Sequence, residues 1–345
     1  MKLINYLKLK KFSYLCFLKK GLNKKHAKII SDGLCETSLR GIDSHGIGLL
    51  KHYLESAGKR KNINPNLKFK KRYNSIYQLN ADNAFGHVSS YYGIEKSVSL
   101  ASKNGIGMVC IKNSSHLGAL SSNMINFSKQ GYIIIGMTNA DSLLQTYNSK
   151  NSFFGTNPIA VCIPRKKMNP FCLDMSTSII SWNKLLNFKN LKQNLPGKFA
   201  FDHYGNATNN PKKAIGLIPF GEYKGFGLAA VIEILCSIIN GIKFGNEITK
   251  MYSDSIYKKR GLGHLFIAIK ININVTKNSF LENMEKMSRK IYQQEKISKK
   301  NEIFLPGDKE NKISIIRLKK GIPITKKIYI DLKNISKKYK INFDV

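Results

Sequence analysis

Residues 106–141 read IGMVCIKNSSHLGALSSNMINFSKQGYIIIGMTNAD. An apolar run, Ile106–Lys112, has strand character, and a small polar turn, Asn113–Gly118, follows it. Ala119–Lys129 then carries apolar residues at helical spacing, and Tyr132–Thr138 is a second short apolar run. Two short apolar runs bounded by turn residues and separated by one helical segment predict a layered α/β arrangement. The turn after the first strand holds His116, and the second strand ends in Thr138-Asn139-Ala140-Asp141. Open α/β sheets place their ligands at strand ends of this kind.

The same pattern extends outward over about residues 67–275. Ser75–Leu79, Ile159–Ile163 and Pro170–Asp174 read as further strands, and His87–Lys103 and Lys224–Ile239 as helices. Residues 1–66 read helical: Asn23 can cap a helix bearing Ala27, Ile29, Ile30 and Leu34. Ser44 is typed to cap a second helix reaching about Ser56, and Lys59–Asn66 is a polar connector. Residues 276–345 return to lysine-rich helical segments around Leu305-Pro306-Gly307. The expected division is therefore 1–66, 67–275 and 276–345, with the outer two packing together as a cap on the central α/β domain.

The chain has 345 residues, 42% hydrophobic and 10% aromatic, enough for a large core. Its formal charge is +36, yet only seven of the 57 basic residues are arginine. Phosphate-reading surfaces enrich arginine for its bidentate fork, whereas this lysine is spread over the whole chain. It accompanies many Ile, Asn, Phe and Tyr residues, as AT-rich codons produce, so no specific nucleic-acid partner is expected. No uncharged run reaches the ~20 residues that span a bilayer. The lysine-interrupted N-terminus does not form a signal peptide, and a cytoplasmic location without membrane attachment is expected. The six cysteines (16, 35, 110, 162, 172 and 236) include no Cys-x-x-Cys pair. Reduced buried thiols, and no metal, are the expectation.

Chemistry-bearing residues fall in a few clusters. Arg40-Gly41-Ile42-Asp43-Ser44-His45-Gly46 starts the second helix; His45, Leu49 and Tyr53 would then share one helix face. His116 is the second histidine at a turn, and Asp141 on the neighbouring strand end could fix its tautomer. Gly155-Thr156-Asn157-Pro158 and Asp174-Met175-Ser176-Thr177-Ser178 are small and hydroxylated, so backbone N–H groups there can approach an anion. The dinucleotide fingerprint G-x-G-x-x-G is missing. Lys224-Gly225-Phe226-Gly227 opens a helix without a strand before it, which suits a phosphate contact but not a Rossmann turn.

Taken in order, SHG, SSHLG, TNA, GTNPIA, LDMSTS, LPGKFAFDHYGNATNNP and the KGFGLA run resemble the malate/L-lactate dehydrogenase family. This group includes sulfolactate, ureidoglycolate and diketogulonate enzymes and is distinct from the Rossmann lactate dehydrogenases. The resemblance covers about residues 20–340. It implies a non-Rossmann, mixed-sheet cofactor domain with a helical cap, NAD or NADP as cofactor, and a homodimer. The implied reaction is hydride transfer between NAD(P) and a small 2-hydroxy or 2-oxo acid. By the same resemblance His116 and His45 are the acid/base histidines of different members. Asp174, Met175, Ser176, Lys224, Gly225, Gly307 and Asp308 match cofactor contacts, and Ser44, Tyr53 and Thr156 match substrate-holding positions. Leu49 stands where many members carry a carboxylate-binding arginine. That departure keeps a second substrate class in view, a non-carboxylate carbinol such as a sugar hydroxyl. A lysine-rich nucleic-acid-binding protein and an inactive scaffold are the remaining alternatives.

Overall fold

The computed structural model describes residues 1–343. Its centre is a seven-stranded sheet in the order 68–73, 76–80, 106–114, 262–270, 132–138, 159–163, 171–175. Only 76–80 and 106–114 pair in parallel; the other neighbours are antiparallel. A Rossmann sheet is parallel throughout its nucleotide-binding half, so this mixed sheet is a different scaffold, as the missing fingerprint implied. Tyr132–Thr138 and Ile159–Ile163 form as read, and the other expected strands shift by one or two residues.

The central strand, Leu262–Lys270, lies outside the strands expected from the sequence. It is almost wholly buried and bonds 106–114 on one side and 132–138 on the other. Lys68–Tyr73, which has no apolar run, is exposed at every residue. It is the sheet's edge, where lysines discourage pairing with another chain.

Helix Gly86–Asn104 packs across the sheet, and Gly86 at its start must be glycine. A Cβ there would lie 2.2 Å from the Ser115 carbonyl oxygen. This contact sets the helix against the turn that carries His116. The two ends of the chain meet: Lys2–Ile4 pairs antiparallel with Ile322–Ile324. Arg317 forks onto Asp43, and Lys51 reaches Asp331 at 2.9 Å. One continuous apolar cluster joins Leu9, Phe17 and Leu34, Ile111 and Phe266 of the sheet, and Leu332. A smaller lobe has its own core of Ile180, Leu185, Leu195, Ala200 and Leu217.

The helix Tyr223–Cys236, extended by a turn to Asn240, is long and apolar enough by length and composition to cross a membrane. Here it lies against the sheet with Ala229, Ile232 and Cys236 buried. Glu233, also buried, accepts from Asn157 Nδ2 at 2.7 Å and from the Gly245 amide at 3.0 Å. A buried carboxylate held by protein donors marks a packed helix of a folded domain.

Candidate active site

Ser114, the last residue of strand 106–114, anchors the turn that presents His116. Its hydroxyl meets Ser89 Oγ at 2.6 Å and His264 Nε2 at 2.8 Å. The other His264 nitrogen meets Thr138 Oγ1 at 2.7 Å. His264 is thus a satisfied core histidine, pushed down to about 3 by burial. Ser115 Oγ donates to the Ala84 carbonyl at 2.8 Å. Between these ties, Asn113 adopts a left-handed φ of 56° and Gly118 one of 76°. Asparagine and glycine are the residues that tolerate this conformation.

His116 and His45 come together. Their rings stack with centroids 5.6 Å apart and planes 20° from parallel. Both line a cavity of about 880 Å³ that also exposes Ser44, Asp141, Thr156, Asp174, Met175 and Ser176. Eight of the positions singled out in the sequence therefore converge on one cavity.

Several expectations change. Ser44 caps no α-helix: Asp43–His45 and Ile47–Leu49 are separate 3-10 turns, and the α-helix begins at Leu50. Glycines 46 and 48 break the segment before it can wind regularly. Ser44 Oγ instead meets His45 Nδ1 at 2.8 Å. Burial lowers His45 to about 4. Tyr53 is fully buried behind the histidines and does not line the cavity. Its hydroxyl lies 2.9 Å from His116 Nδ1 and 3.2 Å from the His116 carbonyl.

Asp141 does not orient His116. Its carboxylate is engaged by Arg260 and accepts the Met251 amide at 2.8 Å. Tyr53, not Asp141, meets the imidazole. Asp308 is occupied as well: Arg165 at 2.8 Å, Tyr292 Oη at 2.7 Å and the Leu305 amide at 2.8 Å. Those donors hold its carboxyl below the ordinary value, against a burial effect that would raise it. Gly307 packs on Cys172, and it is Glu310, one turn further, that reaches the cavity. Lys224 is exposed at the helix start, and neither it nor buried Gly225 lines the cavity.

The cavity's other polar groups follow no motif. Lys184, Lys250, Tyr252 and Asn183 come from loops and a short helix. Asn183 Nδ2 donates to the Ser44 carbonyl at 2.7 Å and so ties the small lobe to the His45 turn. Asp174 accepts the Ser121 amide at 2.9 Å, at the start of helix Ser121–Ser128. Burial raises its carboxyl above the ordinary value, although the hydrogen bond and the nearby Arg40 oppose this. Burial, then the charges of His45, Arg260, Lys61 and His87, lower His116 well below 6.5. It is therefore neutral near pH 7.

All six cysteines are free and buried, as expected, with Cys162 and Cys172 facing each other at 3.6 Å between sulfurs. Among the described residues no cluster of His, Cys, Asp and Glu could hold a metal ion.

Known proteins agree with this scaffold along the whole chain. The family described as malate/L-lactate dehydrogenase matches residues 4–333. A malate dehydrogenase of Pyrococcus abyssi is 32% identical, over 97% of this chain and 95% of its own. A ureidoglycolate dehydrogenase (NAD(+)) of Escherichia coli K12 is 29% identical over 90% and 88%. The crystal structure of malate dehydrogenase from Entamoeba histolytica superposes with a TM-score of 0.93 at 27% identity, covering 99% of both chains. With a mixed sheet in place of a Rossmann fold and paired histidines at its cavity, the chain belongs to the malate/L-lactate dehydrogenase family.

Proposed function

We propose that the protein moves a hydride between NAD or NADP and a small 2-hydroxy or 2-oxo acid, with His116 as the proton carrier. The observation that carries this reading is the stacked pair His116–His45 in the wall of a cavity large enough for a dinucleotide and a small substrate. The residues present suit such a cofactor. Leu120, Met175 and Phe220 offer an apolar surface, Ser176 and Ser178 offer hydroxyls, and Asp174 is an acceptor for a sugar hydroxyl. Lys184 in the cavity and Lys224 at a nearby helix start supply positive charge for phosphates.

The bound nicotinamide supplies or accepts the hydride. The protein's own part is the proton. Tyr53 Oη can donate to the His116 carbonyl while accepting the Nδ1–H; the Gly118 N–H, aimed at Nδ1 from 3.4 Å, is a long contact that would donate to that nitrogen only in the other tautomer, and the shorter Tyr53 contact favours the first. In that tautomer the Nε2 lone pair is free to take the proton of a substrate hydroxyl, and returns it to the oxygen in the reverse direction. His45, neutral through burial and held by Ser44, serves as a hydrogen-bond partner for the substrate. Lys250 is the cavity cation available to a carboxylate.

Leu49 favours the second substrate class. It is apolar and buried, so no side chain at that position clamps a carboxylate. A panel of 2-oxo acids and sugar ketones, assayed with NADH and NADPH, separates the two.

The cofactor reading has a direct test. NADH or NADPH should raise the melting temperature and show saturable fluorescence, both weakened in Lys224→Ala. No binding at millimolar concentration removes the proposal.

The outer face of helix Tyr223–Cys236 and its extension exposes Val231, Ile234, Ile238 and Ile239, each about half accessible. A contiguous apolar face of this kind supports a homodimer. Sedimentation equilibrium should give twice the chain mass, and Ile234→Lys should shift the protein toward monomer. The dispersed lysines support no specific nucleic-acid partner, and the six reduced thiols fit the cytoplasm.

A further inference from the structure

Lys61 is a buried amine that the packing around it does not explain. It is 1% exposed, and its Nζ has no hydrogen-bond partner. The amine lies 3.7 Å from the centroid of the Tyr53 ring and 5.1 Å from that of Phe85. The opposite end of Tyr53 is the hydroxyl that meets His116 Nδ1. Lys61, Tyr53 and His116 thus form one line of contact from the interior to the cavity wall. His87 lies alongside, its ring centroid 5.6 Å from that of Tyr53 and both its nitrogens without a partner. An amine buried without an acceptor is destabilising, and an apolar chain of similar length would fill the same space at less cost.

We propose that Lys61 is a positioning residue for the reaction. Acting through the face of Tyr53, it weakens the phenol oxygen as an acceptor, so that His116 stands unprotonated and ready to take a proton at Nε2. The inference rests on the reading of His116 as proton carrier. Its physical basis is the quadrupole of the ring: N–H bonds directed at the π face draw density toward them. The phenol oxygen then accepts less well. Neutral and protonated His116 both place Nδ1–H on that oxygen, but the cationic ring is the stronger donor, so a weakened acceptor costs the protonated form more.

The other charged groups around the pair are few and identifiable. His45 on the 43–45 turn, His87 on helix 86–104 and Arg260, paired with Asp141, face His116. Burial, then Arg260 and Arg60, hold the Lys61 amine well below the ordinary value, and His52 on helix 50–56 also feels its charge. The amine acts on the ring through its N–H bonds, whose hydrogen ends are positive in either protonation state. Arg260, His45 and His87 remain when Lys61 is replaced, so the part due to Lys61 can be measured separately.

The test is a titration of His116 by ¹³Cε1-histidine NMR, with its resonance assigned by loss in His116→Asn. In Lys61→Met, His116 should titrate higher than in the wild type by about one pH unit. In a Tyr53→Phe background the same substitution should move it by less than a third as much. The melting temperature of Lys61→Met should be no lower than that of the wild type. Lys61→Leu, which likewise carries no N–H and should shift His116 in the same direction, serves if the methionine variant does not fold. Coincident titrations of wild type and Lys61 variants overturn the proposal, as does an equal shift with and without the Tyr53 hydroxyl. Because the measurement does not use turnover, it is independent of the catalytic role of His116, which fails separately if His116→Ala keeps full activity.

Discussion

Replacing His116 with alanine is expected to lower turnover by roughly 10²–10⁴, the range for loss of a general acid–base group. The expectation follows from position and contacts. His116 borders the cavity, its Nδ1 is met by Tyr53 at 2.9 Å, and Nε2 is left for a ligand. His45 is also neutral, but its Nδ1 is met by Ser44, the neighbouring residue in the same turn. His45→Ala should therefore act mainly on KM. Steady-state constants for both variants, measured with the substrate that turns over fastest, decide the assignment. An unchanged kcat in His116→Ala with a collapsed kcat in His45→Ala would reverse it.

Arg60→Ala should be strongly destabilising, at about 3 kcal/mol. Its guanidinium, 2% exposed, reaches five consecutive-loop carbonyls. These belong to Lys250, Met251, Asp254, Ser255 and Ile256, at 2.6 to 3.5 Å. Without it those oxygens lose a charged donor in a place where water enters poorly. For a chain of this size the melting temperature should drop by roughly 4 °C. Lys250–Tyr252 also line the cavity, so KM should rise with the loss of stability. Arg60→Lys should recover little, because one ammonium cannot span five acceptors. A melting curve that coincides with the wild type would show that the loop holds itself.

Arg60 and Lys61 illustrate what local reading misses. In the sequence they belong to a polar connector between two stretches, and lysine and arginine are ordinarily exposed. Only the approach of loop 250–256 and of the Tyr53 ring buries them. Asp141 is similar. Its place at a strand end was legible, but its partner was not, because Arg260 lies 119 residues away and enters beside the same strand ends. The central strand was missed for a related reason. Leu262–Lys270 has helix Gly86–Asn104 on one face and helix Tyr223–Cys236 on the other, so it lacks the alternation that marks a half-exposed strand.

The sequence by itself determined the α/β class and the absence of a Rossmann turn. It also determined the strand–turn–helix that carries His116, and eight cavity residues reached through short motifs. These depend on local rules: apolar period, turn chemistry at Asn113 and Gly118, and hydroxyls next to glycine. The tertiary structure alone decided which groups share a hydrogen bond. It joined Tyr53 to His116, Arg260 to Asp141 and Arg165 to Asp308, and placed Lys61 on the Tyr53 ring. Long side chains reach partners chosen by the packing of distant elements, and that packing minimises unpaired polar groups over the whole molecule rather than along the chain.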